Sequence, residues 1–494
     1  MSILTESKQA EPVQAEPISG QPDDGAAIAD LQNAFEAQRK AFAADRQPSL
    51  DTRRERIGAL MGMLVGNRAR IGDALASDFG CHPKGASDLI EMLGIVGRAQ
   101  YVLDHLEEWM TPLPRHTDPA ALGDTKAFIR YEPKGVVGNI VPWNFPIDIA
   151  IGPLAEMLGA GNRVIVKPSE FAPACAELVS EMIRATYDRD LVHVAVGELG
   201  LSQAFAATPW DHLLYTGSPD VGRKVMAAAA ANLTPVTLEL GGKCPALLTP
   251  GSVNAKNVES VIGTKVIKNG QMCISVDYAL VPRGELESFV SEARSFMNRA
   301  APGYAKGPDC TGIITDRHLE RLKDMLAEAE DTQTRIVTLE DDAVIDPETR
   351  RMPISLAIDP PPGLRIMREE IFGPIMPVVP YDDLDEAIAH INAGERPLGL
   401  YVFGEDTAQT DRVLSQTSSG GAAVNTCALQ GGLPSLAFGG SGNSGMGRHH
   451  GIEGFREFSN PRGIVVRGKE GDHIDAFYAP YAKAAAMVDA VLNA

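Results

Sequence analysis

The sequence predicts an α/β protein with two parallel-sheet domains, and three observations carry that expectation. From Trp143 onward, short apolar runs of strand length alternate with amphipathic stretches of helix length. This is the rhythm of βαβ units whose sheet is covered on both faces. A double glycine, Gly241-Gly242, breaks the rhythm where one such unit can end and the next begin. The length of 494 residues exceeds what a single compact core holds.

The elements follow in order. The opening stretch, MSILTESKQAEPVQAEPISGQPDDG, is rich in Ala, Glu, Pro and Gln and predicts a mobile tail, drawn at 1–30. From 31 to about 110, apolar residues recur three and four apart, which predicts helices. TKAFIRYEP alternates like a strand, and KGVVGNIVP is a second strand candidate. IDIAIGPLAEMLGAG reads as one helix, RVIVK as a buried strand and ACAELVSEMIRATYD as a helix. LVHVAVG, HLLYTG and TPVTLEL read as strands, with DVGRKVMAAAAANL as a helix between the last two. Beyond Gly242, PALLTP, DYALVP, RIVTL and LYVFG are strand candidates. ELESFVSEARSFMNRA, RHLERLKDMLAEAE and DDLDEAIAHINA are helical, and AKAAAMVDAVLNA predicts a surface helix in a C-terminal tail, 476–494.

Composition narrows the function. A net charge of -20 argues against nucleic acid as a partner, because phosphate binding needs clustered Lys and Arg. It leaves room for an anionic cofactor held by local groups and backbone N–H donors. No basic stretch precedes an apolar one at the start, and no apolar run has the length of a bilayer span. The six cysteines are scattered without a C-x-x-C pair. Reduced thiols in a cytoplasmic protein, with no membrane partner, are therefore expected.

Three stretches carry chemistry. In IKNGQMCISVDY, Cys273 follows a tight turn at Gly270, a placement suited to the mouth of a cleft. A nucleophilic thiol needs neighbours that favour its thiolate, whereas a structural one is simply a small buried hydrophobe. In PWNFP, two prolines bracket Asn144 in an irregular loop. Its amide either stabilises a developing oxyanion or caps the helix that follows. In LELGGK, Glu239 interrupts an apolar strand just before two glycines. The C-terminal end of a parallel strand is where sheet enzymes place chemistry. Glu239 is either a general base raised by partial burial or a solvated strand end.

VPWNFP, VKPSE, TGSPDVG, LELGGK, NGQMCI and EEIFGP, in this order and spacing, resemble the aldehyde dehydrogenase superfamily over about 31–467. Within it, the MSIL start, PVTLELGGK, HGIEGF and the late APY are similar to bacterial coniferyl aldehyde dehydrogenases. The resemblance implies a Rossmann-like cofactor-binding domain over 31–114 and 134–241, and a catalytic domain over 242–437. It also implies a small β-hairpin oligomerisation element over 115–133 and 456–475, and a homo-oligomer, a dimer before a tetramer. Cys273 falls on the nucleophile, Asn144 and the Cys273 N–H on the oxyanion hole, and Glu239 on the base that activates water. Lys167, Ser169, Glu170, Gly217, Ser218, Gly222, Trp143, Glu370 and Phe372 fall on the cofactor site. The implied cofactor is NAD, with NADP possible, because a carboxylate such as Glu170 near the adenosine ribose welcomes a hydroxyl and repels a phosphate. The implied reaction oxidises an aldehyde, aromatic such as coniferyl aldehyde or medium-chain, through a cysteine thiohemiacetal and thioester.

Alternatives of the same fold are an acylating or semialdehyde dehydrogenase, of which those that acylate coenzyme A often lack the carboxylate of Glu239, and a silent binding protein. Ala437, Cys244 and Met272 depart from the family's usual residues, which bears on substrate shape. Trp143, Phe145 and Phe438 are candidate apolar walls. Gly440-x-Gly442-x-x-Gly445 matches a dinucleotide fingerprint in spelling, but follows a poor strand and opens a poor helix, so it is expected to be a loop shaping the site wall. His449, His450 and Glu453 resemble metal ligands loosely; a solvated loop is expected there, and no metal.

Overall fold

The computed structural model describes residues 24–470 and 478–493. Helices open the described chain: Gly25–Ala44, Leu50–Gly66, Arg68–Phe79 and Gly94–Met110. Ser49 caps the second by accepting a hydrogen bond from Thr52 N. Gly94–Met110 buries Ile95, Arg98, Ala99, Val102, Leu106 and Trp109, one face at the three-and-four spacing.

The first helix shortens the expected tail. Residues 25–30 are helical, and Leu31, Ala34 and Phe35 pack into the apolar cluster beneath the first sheet. Asp24 ties its start down, accepting hydrogen bonds from Glu198 N and Leu201 N. Burial of that apolar stripe outweighs the polar composition of the preceding residues, and residues 1–23 lie outside the described chain.

The first sheet has six strands in the order Gly445–Met446, Val236–Glu239, His212–Thr216, Val136–Ile140, Arg163–Lys167, Val192–Val194. All pair in parallel except the first, which runs antiparallel to Val236–Glu239. The second sheet has seven strands in the order Arg335–Thr338, Ser355–Ile358, Ile375–Tyr381, Tyr278–Pro282, Pro245–Leu248, Gly399–Phe403, Gly421–Val424. Only its Arg335–Thr338 edge is antiparallel. Leu113–Arg115, Lys126–Pro133 and Ser459–Val466 form a separate antiparallel sheet. TKAFIRYEP and KGVVGNIVP are thus both strands, but in different sheets.

IDIAIGPLAEMLGAG is not one helix. It breaks into Asp148–Ile151 and Leu154–Gly159 at Gly152-Pro153, where proline contributes no N–H. Within the seven-stranded sheet, three strands escaped the sequence reading: Ser355–Ile358, Ile375–Tyr381 and Gly421–Val424. The second carries Pro377 and Pro380 in the interior of a sheet, where ladder hydrogen bonds disfavour proline. The C-terminal stretch does form a helix, Ala485–Leu492, with Val488 and Leu492 exposed. No helix among the described residues is long and apolar enough to cross a membrane.

Candidate active site

The first sheet reverses its winding between Val136–Ile140 and His212–Thr216. Ligands of open parallel sheets bind beyond the strand C-termini at such a switch point. The loop carrying Asn144 leaves one of these strands, Thr216-Gly217 ends the other, and Glu239 ends the next strand along. Cys273 reaches the same place from the second domain.

The Lys-Asn-Gly turn before Cys273 has a specific backbone cause. Lys268, Asn269 and Gly270 take φ of 48°, 53° and 76°, three left-handed residues in a row. Non-glycine residues rarely adopt this region, so the surroundings must hold it. Lys268 forms a wholly buried ion pair with Glu91 and donates to Asn144 O at 2.7 Å. Asn269 Nδ2 donates to Met352 O at 3.0 Å. A Cβ on Gly270 would lie 2.3 Å from Gly373 O, so only glycine fits. Gln271 Nε2 donates to Lys268 O and Gly312 O, and its Oε1 accepts from Ile314 N. Asn144 Nδ2 donates to Gln271 O at 3.2 Å, so the Asn144 loop and the Cys273 loop are bonded to one another. One N–H of the Asn144 amide is thereby occupied and the other is left for a ligand.

Two cavities meet at Cys273. The larger, about 500 Å³, is walled by apolar groups including Leu89, Ile90, Phe145, Met272 and Phe438. The smaller, about 240 Å³, is lined by Trp143, Asn144, Gly217, Ser218, Glu370 and Phe372. Cys273, Glu239 and Thr216 border both. None of the other five cysteines lines either one.

The electrostatics of this junction are carboxylate-rich. Burial, and then the carboxylates of Glu370 and Glu239, push the Cys273 thiol up to about 12. The neighbours favour the neutral thiol, contrary to the expectation of a thiolate-stabilising surround. Burial also pushes Glu239 well above the usual carboxylate range, and neither of its oxygens has a hydrogen-bond partner. Burial, reinforced by Asp277, pushes Glu370 up to about 8.

Residues 4–464 match the model of the Aldehyde dehydrogenase family. The chain belongs to the aldehyde dehydrogenase family. It is 39% identical over 446 residues to a probable coniferyl aldehyde dehydrogenase of Caulobacter vibrioides, covering 90% of this chain and 92% of the relative. It is 37% identical over 465 residues to a coniferyl aldehyde dehydrogenase of a Pseudomonas species, covering 93% and 96%. Among solved structures, a substrate-bound AldH of Staphylococcus aureus superposes with a TM-score of 0.88 at 30% identity, covering 94% of this chain and 99% of that one. The chain is an NAD(P)-dependent oxidoreductase acting on aldehydes.

Within this aldehyde dehydrogenase, the structure gathers Cys273, Glu239, Asn144, Trp143, Gly217, Ser218, Glu370 and Phe372 around the smaller cavity. Trp143 packs edge-on against Phe372 there, at 5.3 Å between centroids, so it walls the smaller cavity and not the larger one. Lys167, Ser169 and Glu170 lie at the end of Arg163–Lys167, outside both cavities, with Lys167 Nζ donating to Glu170 at 2.9 Å. Gly222 is buried inside the Pro219–Ala230 helix, which Ser218 caps. Of the departures from the family pattern, Met272 lines the larger cavity, and Cys244 is buried with Sγ donating to Cys273 O at 3.3 Å.

The glycine fingerprint look-alike forms no phosphate loop. Gly445 pairs with Glu239 in the sheet, and no helix follows directly. The histidine expectation is corrected. His449 is buried, and both His449 and His450 line the larger cavity, because that strand pairing folds them back over Glu239. Among the described residues no group of three or more His, Cys, Asp or Glu is disposed to hold a metal. Sequence reading also missed His318, Arg321 and Arg98, which line the cavities from distant elements and carry no local motif, and Thr216, which opens the TGSPDVG stretch.

Proposed function

We propose that Cys273 is the nucleophile of an aldehyde-to-acid oxidation, with Asn144 supporting the oxyanion and Glu239 activating water. The observation that carries this reading is the junction: one thiol and one unpartnered carboxylate border both an apolar cavity and a second one that also carries Asn144, Ser218, Arg321 and Glu370. The smaller cavity suits a nicotinamide and its ribose. Thr216 Oγ1 is buried there without a partner, and the backbone at Gly241 runs so close to Glu370 that an added Cβ would lie 2.0 Å from its carboxylate. Trp143, Phe372, Glu370, Gly217 and Ser218 would hold that end, and Lys167, Ser169 and Glu170 the adenosine end. When bound, NAD supplies the hydride acceptor.

Cys273 Sγ adds to the aldehyde carbon as its proton leaves through the cavity to solvent, so that Glu239 stays free to act on water. The new oxyanion is held by the free N–H of Asn144 and the Cys273 N–H. Its collapse expels the hydride with its electron pair and leaves a thioester on Sγ. Glu239 then takes a proton from water as the oxygen attacks, the C–S bond breaks, and the carboxylic acid departs. Glu239 supports water as the acceptor over coenzyme A.

For the substrate, the apolar lining of the larger cavity and the names of the relatives support an aromatic or medium-chain aldehyde. Glu170 supports NAD over NADP. The Ser459–Val466 strand lies at an open sheet edge with Val465 and Val466 exposed, which supports a homodimer joined there. Replacing Cys273 by Ser abolishes NADH formation; undiminished turnover overturns the scheme. An aldehyde panel followed by NADH absorbance should favour aromatic and medium-chain substrates, and a preference for small charged semialdehydes would remove that assignment.

A further inference from the structure

We infer that His449 is a positioning residue for Glu239: Arg98 fixes its ring as the Nε2–H tautomer, and that hydrogen is donated to the carboxylate that activates water. The inference rests on the reading of Glu239 as the base.

The geometry runs outward from a buried ion pair. Arg98 Nε donates to both oxygens of Glu156, at 2.8 and 2.9 Å. Glu156 Oε1 also accepts from Gly451 N at 3.2 Å, which ties the pair to the loop carrying His449. The loop backbone is fixed by reciprocal bonds between Phe438 and His449, each 2.8 Å. Arg98 Nη2 then lies 3.1 Å from His449 Nδ1. A guanidinium only donates, so Nδ1 is the acceptor and the neutral ring carries its hydrogen on Nε2. Burial and the Arg98 cation both push the imidazole well below its ordinary pKa, so the ring stays neutral.

Nε2 lies 3.7 Å from Glu239 Oε1. That is too long for a hydrogen bond, and neither Glu239 oxygen has another partner. A small side-chain rotation closes the gap. A neutral donor at this point favours the ionised carboxylate and aims its second oxygen. The other groups acting on Glu239 are the cations of Arg448 and Arg98, the carboxylate of Glu457 and the Cys273 thiol. The groups acting on His449 are Arg98 and His450.

The test is a single turnover of the full chain with NAD and an aromatic aldehyde, over a range of pH. NADH is read by stopped flow, and acid release by chemical quench in the same mixture. His449→Phe should leave the NADH step within about threefold of the parent. It should slow acid release about tenfold at neutral pH and move the acid limb of that step up by about one pH unit. His449→Asn, which can still accept from Arg98 but is too short to reach Glu239, should do the same, and it serves if the Phe variant fails to fold. His449→Gln, whose oxygen can accept from Arg98 while its amide donates to Glu239, should restore acid release to within about threefold. An unmoved acid limb in the variants lacking the donor, or equal losses in both steps, overturns the inference. Glu239→Gln is run beside them. If it retains parental acid release, the reading of Glu239 as base fails, whatever the His449 variants do.

Discussion

The two sides of Cys273 are each braced by a buried ion pair, and they are finished differently. On the Asn144 side, Glu91 pairs with Lys268 and accepts from Ile147 N and Asp148 N, while Lys268 donates to Asn144 O. Each bond ends on backbone, and the Asn144 and Cys273 loops become one unit. On the Glu239 side, Glu156 pairs with Arg98, but the chain then runs through a titratable ring to a carboxylate with no partner. A group that must hold a fixed position is fully bonded. A group proposed to exchange protons is left with oxygens free for a ligand.

The largest way to break this contrast is Lys268→Met. It leaves Glu91 buried and uncompensated, a loss of about 3–5 kcal/mol that chemical denaturation would register. It also releases three left-handed residues, so turnover should fall with stability. Full activity in a stably folded Lys268→Met protein would show that the pair does not brace the site.

Asn144→Ala tests the same side without disturbing the ion pair. Loss of an oxyanion donor should lower kcat roughly 100- to 1,000-fold with little change in melting temperature. A change in KM alone would remove Asn144 from the oxyanion role.

The carboxylates offer a test read as a pH dependence of stability and not as a rate. Glu370 rises from 4.5 to about 8, so the folded chain binds its proton more tightly than the unfolded chain. Its contribution to stability is complete below about 4.5 and is lost as pH climbs through about 8. Glu370→Gln removes that loss, so its melting temperature relative to the parent should rise across this window. A constant difference would mean that Glu370 ionises normally.

Much of the site was legible because its groups sit in short local motifs: Cys273 after a turn, Glu239 at a strand end, Asn144 between prolines. What supports them was not. Lys268 and Glu91 are 177 positions apart, and His449 and Arg98 are 351 apart, so no window of sequence contains either pair. The histidines stood out, but as part of a solvated loop; what reveals their place is the pairing of Gly445 with Glu239. The Ile375–Tyr381 strand was missed because its prolines argue locally for a break, and burial within a seven-stranded sheet overrides them.

By itself the sequence determined the α/β alternation and offered Cys273, Glu239 and Asn144 as candidates for chemistry, because periodicity and turn chemistry act over a few residues. Tertiary structure alone decided the ionisation of those side chains. Whether a thiol or a carboxylate is charged depends on how much water is excluded and which charges face it, and those neighbours arrive from both sheets only when the chain is folded.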